Sequence, residues 1–378
     1  MSDRGRSDYI GHKVLVAAQP ANTSLAGRPS LSQKEREELQ RRLSDTLRGK
    51  ADGQLSAYFY TEPNTANDPV NGKSYHHDYI ERKAYYPKEA EKKLFKDQED
   101  KIEEIAPVSD IFVSLGGGDA QAFSSKDMKL IKASKATTVY LVDLSQEYLD
   151  QQERIIKDAI KSEELPVGTQ VVKMRKDFTA AVKSLNSEGK FETQVSMCMT
   201  GLTLFNMGVH DEINDGNSYR TMINTINALI APLPQNSSFY ITQDTTTDRD
   251  KILEAYDAGE LLNQWMKNFW LFVQREIPTE GLDVSLFEGR AVVPDAKSNQ
   301  MQFQFVATRD ATFIIGDEVF DVKKGDTFVS FTSEKFGIGK HDRVRDVVRE
   351  AGGRHANTIL GDDGAALRHF RVGQPGPA

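Results

Sequence analysis

Three adjacent glycines, Gly116-Gly117-Gly118, follow the apolar run Ile111 to Leu115. Glycine lets backbone N–H groups approach a ligand closely, and a helix starting just beyond offers its partly positive end to negative charge. The stretch reads as a strand handing over to a helix around a nucleotide, or, more plainly, as a tight strand-to-helix turn. No Gly-Lys-Ser/Thr follows, which excludes a nucleotide-hydrolase phosphate loop. Gln121 stands where the dinucleotide fingerprint needs its third glycine. A second apolar run ends in an acid, Asp143 of "YLVDLS", placed to accept hydrogen bonds from ribose hydroxyls; that suits NAD and S-adenosylmethionine equally. A third ends at Asp177-Phe178, where the acid can take the exocyclic amine of adenine and the ring can pack on its face, unless Asp177 is only a helix cap. The fourth, "QVSMCMTGLTLFNMGVHD", brings the amide of Asn206 to the carboxyl end of a central strand, which faces the ligand crevice. An amide there suits holding an amine better than moving a hydride; the competing role for Asn206 is that of an ordinary turn residue.

The elements that must position these residues are regular. From Ile111 onward the runs "IFVSL", "TVYLVDL", "QVVKMR", "QVSMCM" and "SFYITQD" alternate with amphipathic helical segments, the pattern of βαβ units and a parallel sheet. Before them, "SLSQKEREELQRRLSDTLRG" predicts a helix from a serine cap to Gly49, and "YYPKEAEKKLFKDQEDKIEEIA" one with Pro87 in its first turn. After Asp244 the pattern changes. Residues 249–277 predict one or two helices, and "NQMQFQFVATRDATFIIGDEVFDVKKGDTFVSFTSEKF" alternates with period two around turn glycines, hence antiparallel strands. The segment from His341 predicts a helix, a turn and a closing strand. An α/β domain is thus interrupted by a second module, which the N-terminal helices join. The expected division is a loose arm over 1–30, a core over 88–245 and 335–373, and a second domain over 31–87 and 246–334.

Composition narrows the function classes. The chain has 378 residues and a formal net charge of -8, with no basic stripe interleaved with aromatic residues, so nucleic acid is not an expected partner. No apolar run approaches the roughly 20 residues of a membrane helix, and the N-terminus lacks a signal-peptide core. Cys198 is the one cysteine, which allows no internal disulfide and reads as a buried small hydrophobe. His76-His77 lacks a third ligand at useful spacing, so no metal is expected. Trp265, Phe269 and Phe272 recur at helical spacing and read as core. The expectation is a cytoplasmic protein, monomer or homodimer.

With these residues in place, the sequence resembles the histidine-specific methyltransferase family, the S-adenosylmethionine-dependent enzymes of ergothioneine biosynthesis, which also includes fungal tryptophan and dimethylallyltryptophan N-methyltransferases. The resemblance runs from about residue 57 to 371. Its landmarks are "YFY", "YYPKEAE", "LGGGDA", "VDLS", "KDF", "TGLTLFN", "AYDAG" and "SFTSEKF", in that order. It implies a Rossmann-like class I methyltransferase core with a discontinuous α+β substrate domain. It also implies S-adenosylmethionine as cofactor, S-adenosylhomocysteine as product and a role in secondary metabolism. The cofactor positions carry over as Gly116, Gly117 and Gly118 in the loop, Asp143 with Leu144 at the ribose, Asp177 with Phe178 at the adenine, and Thr200. One departure stands out: the family usually has an acid two residues before the first glycine, and this chain has Ser114.

The resemblance implies that Asn206 holds a substrate α-amine, that Tyr85 and Tyr256 hold its α-carboxylate, and that Tyr60 lies near the side chain. It places Ser333 beside the imidazole site of histidine-specific members. Two positions earlier those members carry a glutamate that grips the imidazole; this chain has Phe331. The facing methionine aligns with Phe303. A phenylalanine cannot accept an imidazole N–H, and leaving that group unpaired on burial costs about 1–3 kcal/mol, whereas aromatic walls favour an apolar or aromatic side chain. The expected activity is therefore N-methylation of the α-amine of an amino acid or derivative, more like tryptophan than histidine. The alternatives are a natural-product intermediate that is not an amino acid, and histidine held in an altered pocket.

Overall fold

The structure is a computed structural model that describes residues 31–50, 55–59, 75–206, 220–294, 300–335 and 343–372. The expected N-terminal arm, residues 1–30, lies outside them. Everything below concerns the compact unit Leu31–Ala378.

The five apolar runs form strands β1 (Ile111–Leu115), β2 (Thr138–Asp143), β3 (Gln170–Arg175), β4 (Val195–Met199) and β5 (Ser238–Asp244), all paired in parallel. The segment after His341 departs from the expected single closing strand. A helix, α12 (Arg343–Glu350), leads into a hairpin of β12 (Gly353–Leu360) and β13 (Ala365–Val372). β13 pairs antiparallel with β5, giving the order β12-β13-β5-β4-β1-β2-β3. The reason lies in "GDDG": Gly364 takes φ +93, a left-handed turn that lets the chain double back where a helix would have run on. The chain leaves β1 toward β2 and returns on its other side through β4, so the crevice opens at the carboxyl ends of β1 and β4.

Alternation along β1 sorts its side chains to two faces. Val113 and Leu115 join a core completed by α8 (Phe178–Ser187), α9 (Arg220–Ile230) and α12. Phe112 faces the other layer, where α3 (Tyr86–Asp97), α4 (Glu99–Ile105), α5 (Ala120–Ser125), α6 (Asp127–Ser134) and α7 (Gln146–Lys161) cover the sheet. The one helix expected over "YYPKEAEKKLFKDQEDKIEEIA" is broken in two at Gln98, whose φ of -116 leaves the helical region; Pro87 does stand in the first turn of α3.

A separate apolar core unites distant parts of the chain. It takes α1 (Gln33–Leu47), which starts at a capping box of Ser32 and Glu35, the 3-10 turn Ser56–Phe59, and α2 (Tyr75–Ile80). Two helices, α10 (Arg249–Tyr256) and α11 (Glu260–Glu276), and two small antiparallel sheets complete it. One sheet has the order β10 (Glu318–Val322), β9 (Ala311–Ile315), β6 (Thr279–Glu280); the other has β11 (Thr327–Glu334), β8 (Gln300–Ala307), β7 (Phe287–Val292). Trp265, Phe269 and Phe272 of α11 are all buried in this core. β11 packs on the 3-10 turn Thr203–Asn206 that follows β4, which brings this core up to the crevice of the large sheet.

Candidate active site

The glycine loop sits where β1 ends. Gly116 has φ +70 and donates its N–H to Val142 O at 2.8 Å, which locks the loop to β2. Gly117 is the tightest position: a Cβ there would stand 2.7 Å from the Phe123 ring and 3.1 Å from both Ser114 Oγ and Asp127 Oδ2. Only hydrogen fits, so the backbone can lie directly on the layer beneath it. On the open side, a Cβ on Gly116 would come within 3.0 Å of Phe178 Cζ. The Phe178 ring thus lies against the loop that it is expected to serve.

Asp143 ends β2 beside this loop and is half-buried. Its carboxylate accepts from Ser145 N at 3.0 Å and from the backbone of Gly118 and Leu144. Burial outweighs these bonds and raises its pKa to about 6. Asp177 is exposed and caps α8. Its bonds from Thr179 N, Thr179 Oγ1 and Ala180 N all run to Oδ1. Capping and ligand binding are therefore not exclusive, because they call on different oxygens. Leu144 offers its carbonyl to Arg175 Nε at 3.0 Å.

Beneath the loop lies a buried polar network that the sequence reading missed. Asp127, the first residue of α6, has no exposed surface; it accepts from Ser114 Oγ and Thr200 Oγ1, both at 2.5 Å, and from Cys198 Sγ at 3.4 Å. Burial raises its pKa and that of the Cys198 thiol. Thr200, expected at the cofactor, thus turns its hydroxyl to this carboxylate. Beside it Lys126 Nζ pairs with Glu91 Oε2 at 3.0 Å, and Glu91 Oε1 accepts the Gly201 N–H at 2.8 Å. Burial alone would lower the Lys126 pKa, but the charges of Glu91 and Asp127 outweigh it and leave it raised. The signal for Glu91 was its place in "YYPKEAE"; for Asp127 the sequence held none except the unusual Ser114.

The residues expected at an amino-acid substrate follow. Tyr86 Oη donates to Asp244 Oδ2 at 2.6 Å, pinning the start of α3 to the end of β5. Its neighbour Tyr85 then meets Tyr256, at the end of α10, ring to edge with centroids 5.3 Å apart. Burial pushes the Tyr85 pKa up to about 12 and that of Tyr256 well above its usual value. Lys335 was not anticipated, although it stands in "SFTSEKF". It is buried, donates to Tyr256 Oη at 2.6 Å and Ser333 Oγ at 2.8 Å, and lies over the Tyr256 ring. Tyr256 and Ser333 are thus joined through one cation, with Tyr85 packed against the Tyr256 ring. Asn206 ends the 3-10 turn that packs on β11. Tyr60 lies outside the described residues, as do the side chains of His76 and His77.

Phe303 and Phe331 face each other across β8 and β11 and stack at 4.1 Å with an interplanar angle of 11°. Trp265 meets both edge-on at 6.1 and 5.8 Å, and Phe59 lies 4.8 Å from Phe331. Ser330 Oγ donates to Phe303 O at 2.7 Å at a bulge in β11, and Ser330 O accepts from Leu55 N. The bulge therefore ties the segment before Phe59 to the stacked pair. Among the described residues no group of His, Cys, Asp and Glu could hold a metal ion, and no helix is long and apolar enough to cross a membrane.

A sheet in this order, a glycine loop after β1 and an acid after β2 define a class I S-adenosylmethionine-dependent methyltransferase. The residues fit that cofactor: the loop leaves room only for backbone at Gly117, Asp143 offers a carboxylate at the ribose position, and Phe178 offers a ring. The chain belongs to the family of histidine-specific, S-adenosylmethionine-dependent methyltransferases, whose model matches residues 39–367. Among solved structures it is similar to an S-adenosylmethionine-dependent methyltransferase from Clostridium acetobutylicum, with 11% identity over 79% of this chain and 98% of that one and a TM-score of 0.37. It is also similar to a sugar N-methyltransferase from Streptoalloteichus, with 11% identity over 78% and 92% and a TM-score of 0.35. A third is an O-methyltransferase family protein from Burkholderia thailandensis, with 14% identity over 90% and 71% and a TM-score of 0.37. No curated protein matches the chain in sequence.

Proposed function

We propose that the protein is an N-methyltransferase for the α-amine of an amino acid, or a close derivative, with an aromatic side chain. The observation that carries this reading is the Phe303–Phe331 stack at 4.1 Å. It stands beside a polar group of Tyr85, Tyr256 and Ser333 suited to an amino acid's carboxylate. The positions that would grip an imidazole have become an apolar wall, while those for the amino-acid backbone remain polar.

S-adenosylmethionine supplies a methyl on a sulfonium sulfur, which keeps the C–S electron pair and leaves as the thioether of S-adenosylhomocysteine. The residues have three tasks. Asn206 accepts an N–H of the substrate amine and aims its lone pair. Lys335 donates to Tyr256 and Tyr85 packs against the Tyr256 ring, so that the tyrosine hydroxyls offer hydrogen bonds to a carboxylate. The aromatic wall excludes water around a neutral side chain.

The test is incubation with S-adenosylmethionine and an amino-acid panel that includes indole compounds, read as mass gains of one, two or three methyls. Tryptophan-like acceptors should gain methyls and histidine should not; no product from any amino acid sinks the proposal. An acceptor without a carboxylate would show itself by indifference to Tyr85→Phe and Tyr256→Phe. Phe331→Glu with Phe303→Met should shift preference toward histidine.

A further inference from the structure

Asp127 is a fully buried carboxylate that the reaction above does not use. Its donors Ser114, Cys198 and Thr200 come from β1, from β4 and from the residue just after β4. These are the two strands that flank the crevice. The middle glycine of the loop rests on the same group, with no space for a Cβ between them. One carboxylate thus holds together the glycine loop and the turn that leads to Asn206. Taking a carboxylate out of water is costly, a cost that a threonine or asparagine would avoid. The neighbouring Lys126 is bound to Glu91 and offsets the buried Asp127 only through its charge. The family usually carries an acid at position 114; here Ser114 reaches an acid on a helix instead.

We propose that Asp127 is the positioning acid of the cofactor site: from α6, through Ser114 and the backbone of Gly117, it sets the glycine loop for the methionyl end of S-adenosylmethionine.

Calorimetry with two ligands tests this on the full chain. S-adenosylhomocysteine carries the methionyl end, and 5′-methylthioadenosine shares the adenosine and sulfur but lacks the amino-acid group. Asp127→Asn should weaken S-adenosylhomocysteine by about tenfold or more, by loosening the loop that meets its methionyl end, and leave 5′-methylthioadenosine nearly unmoved. Ser114→Glu should also weaken S-adenosylhomocysteine, because two buried carboxylates then touch. Ser114→Glu with Asp127→Thr should recover most of the affinity, because the charge is again single. Equal weakening of both ligands by Asp127→Asn overturns the proposal, as does a double variant that binds no better than Ser114→Glu alone. Should these variants not fold, Ser114→Ala removes one donor and no charge. Weaker S-adenosylhomocysteine with unchanged 5′-methylthioadenosine then supports the proposal, and parallel loss overturns it. None of these readouts depends on the methyl acceptor, so failure here is separate from failure of the N-methyltransferase reading.

Discussion

The two halves of the crevice are built on opposite principles. At the sheet ends, recognition is polar and local: a glycine loop, Asp143, and a buried set of Asp127, Glu91 and Lys126 hang on the last residues of β1, β2 and β4. Across from them, β8, β11, α11 and the 3-10 turn at Phe59 contribute rings, with Phe303, Phe331, Trp265 and Phe59 in mutual contact. Hydrogen bonds fix orientation and tolerate little change in the group they bind; stacked rings fix only shape and apolarity. A constant cofactor can be held by the first kind, and a substrate that differs between relatives by the second. On the proposed function, specificity can turn over in the aromatic half without disturbing the polar half.

The largest expected effect tests that independence. Phe303→Ala removes a buried ring from the centre of the stack and should cost about 3–5 kcal/mol in chemical denaturation. Binding of S-adenosylhomocysteine to the folded fraction should stay within about twofold if the two halves act additively. Both tryptophans, Trp265 and Trp270, lie in the aromatic core, so their emission reports on that half alone and should shift. Gly117→Ala is the converse. Its methyl would meet the Phe123 ring at 2.7 Å, an overpacking worth about 1–3 kcal/mol. Cofactor affinity should fall and tryptophan emission should stay unchanged. If each substitution disturbed both readouts alike, the two halves would be one cooperative site.

A smaller effect should separate the halves by pH. Asp143 titrates near 6 because burial outweighs three backbone donors. The ionised form is the better acceptor for ribose hydroxyls. Affinity for S-adenosylhomocysteine should therefore weaken as pH falls below about 6, by up to about tenfold per unit if only the carboxylate binds. Asp143→Asn should bind more weakly at pH 8 and show no such slope. A wild-type affinity that is flat from pH 7 to 5 would remove Asp143 from the ribose contact.

Legibility from sequence divides along the same line. The glycine loop, Asp143 and the Asp177 cap are turn chemistry, written within a few residues, and the five parallel strands follow from their apolar runs. Phe303 and Phe331 were found only as departures from a family pattern; nothing local marks two phenylalanines in period-two strands as a stacked pair. Asp127 was invisible because it acts through contacts with Ser114, Cys198 and Thr200, up to 73 residues away in sequence, and an aspartate opening a helix normally reads as a cap. Lys335 and Glu91 stood inside quoted motifs and drew no reading of their own, because lysine and glutamate are usually exposed. The β12–β13 hairpin was missed because "GDDG" can close a helix as readily as it turns a hairpin.

The smallest expected effect probes the sheet core, where neither principle rules. His369 on β13 is fully buried, stacks on Tyr240 at 4.6 Å and shares a hydrogen bond with Ser238 Oγ at 3.0 Å. Burial, with the nearby charges of Arg371 and His355, lowers its pKa from 6.5 to about 3. The unfolded chain therefore takes the proton first as pH falls through about 6.5, and the folded state resists it until about 3. Stability should decline across that window by at most about 1.4 kcal/mol per pH unit from this residue. Asp143 acts with the opposite sign: its folded pKa lies above its usual 3.8, so the folded state takes that proton first and gains stability between about 6 and 3.8. The histidine should thus show most clearly between pH 6.5 and 6, with a shallower net slope below. His369→Gln in the Asp143→Asn background removes both, and its denaturation free energy should lose that slope relative to Asp143→Asn alone. Equal slopes in the two backgrounds would mean that His369 protonates in the folded core, and that the sheet, like the crevice above it, admits charge.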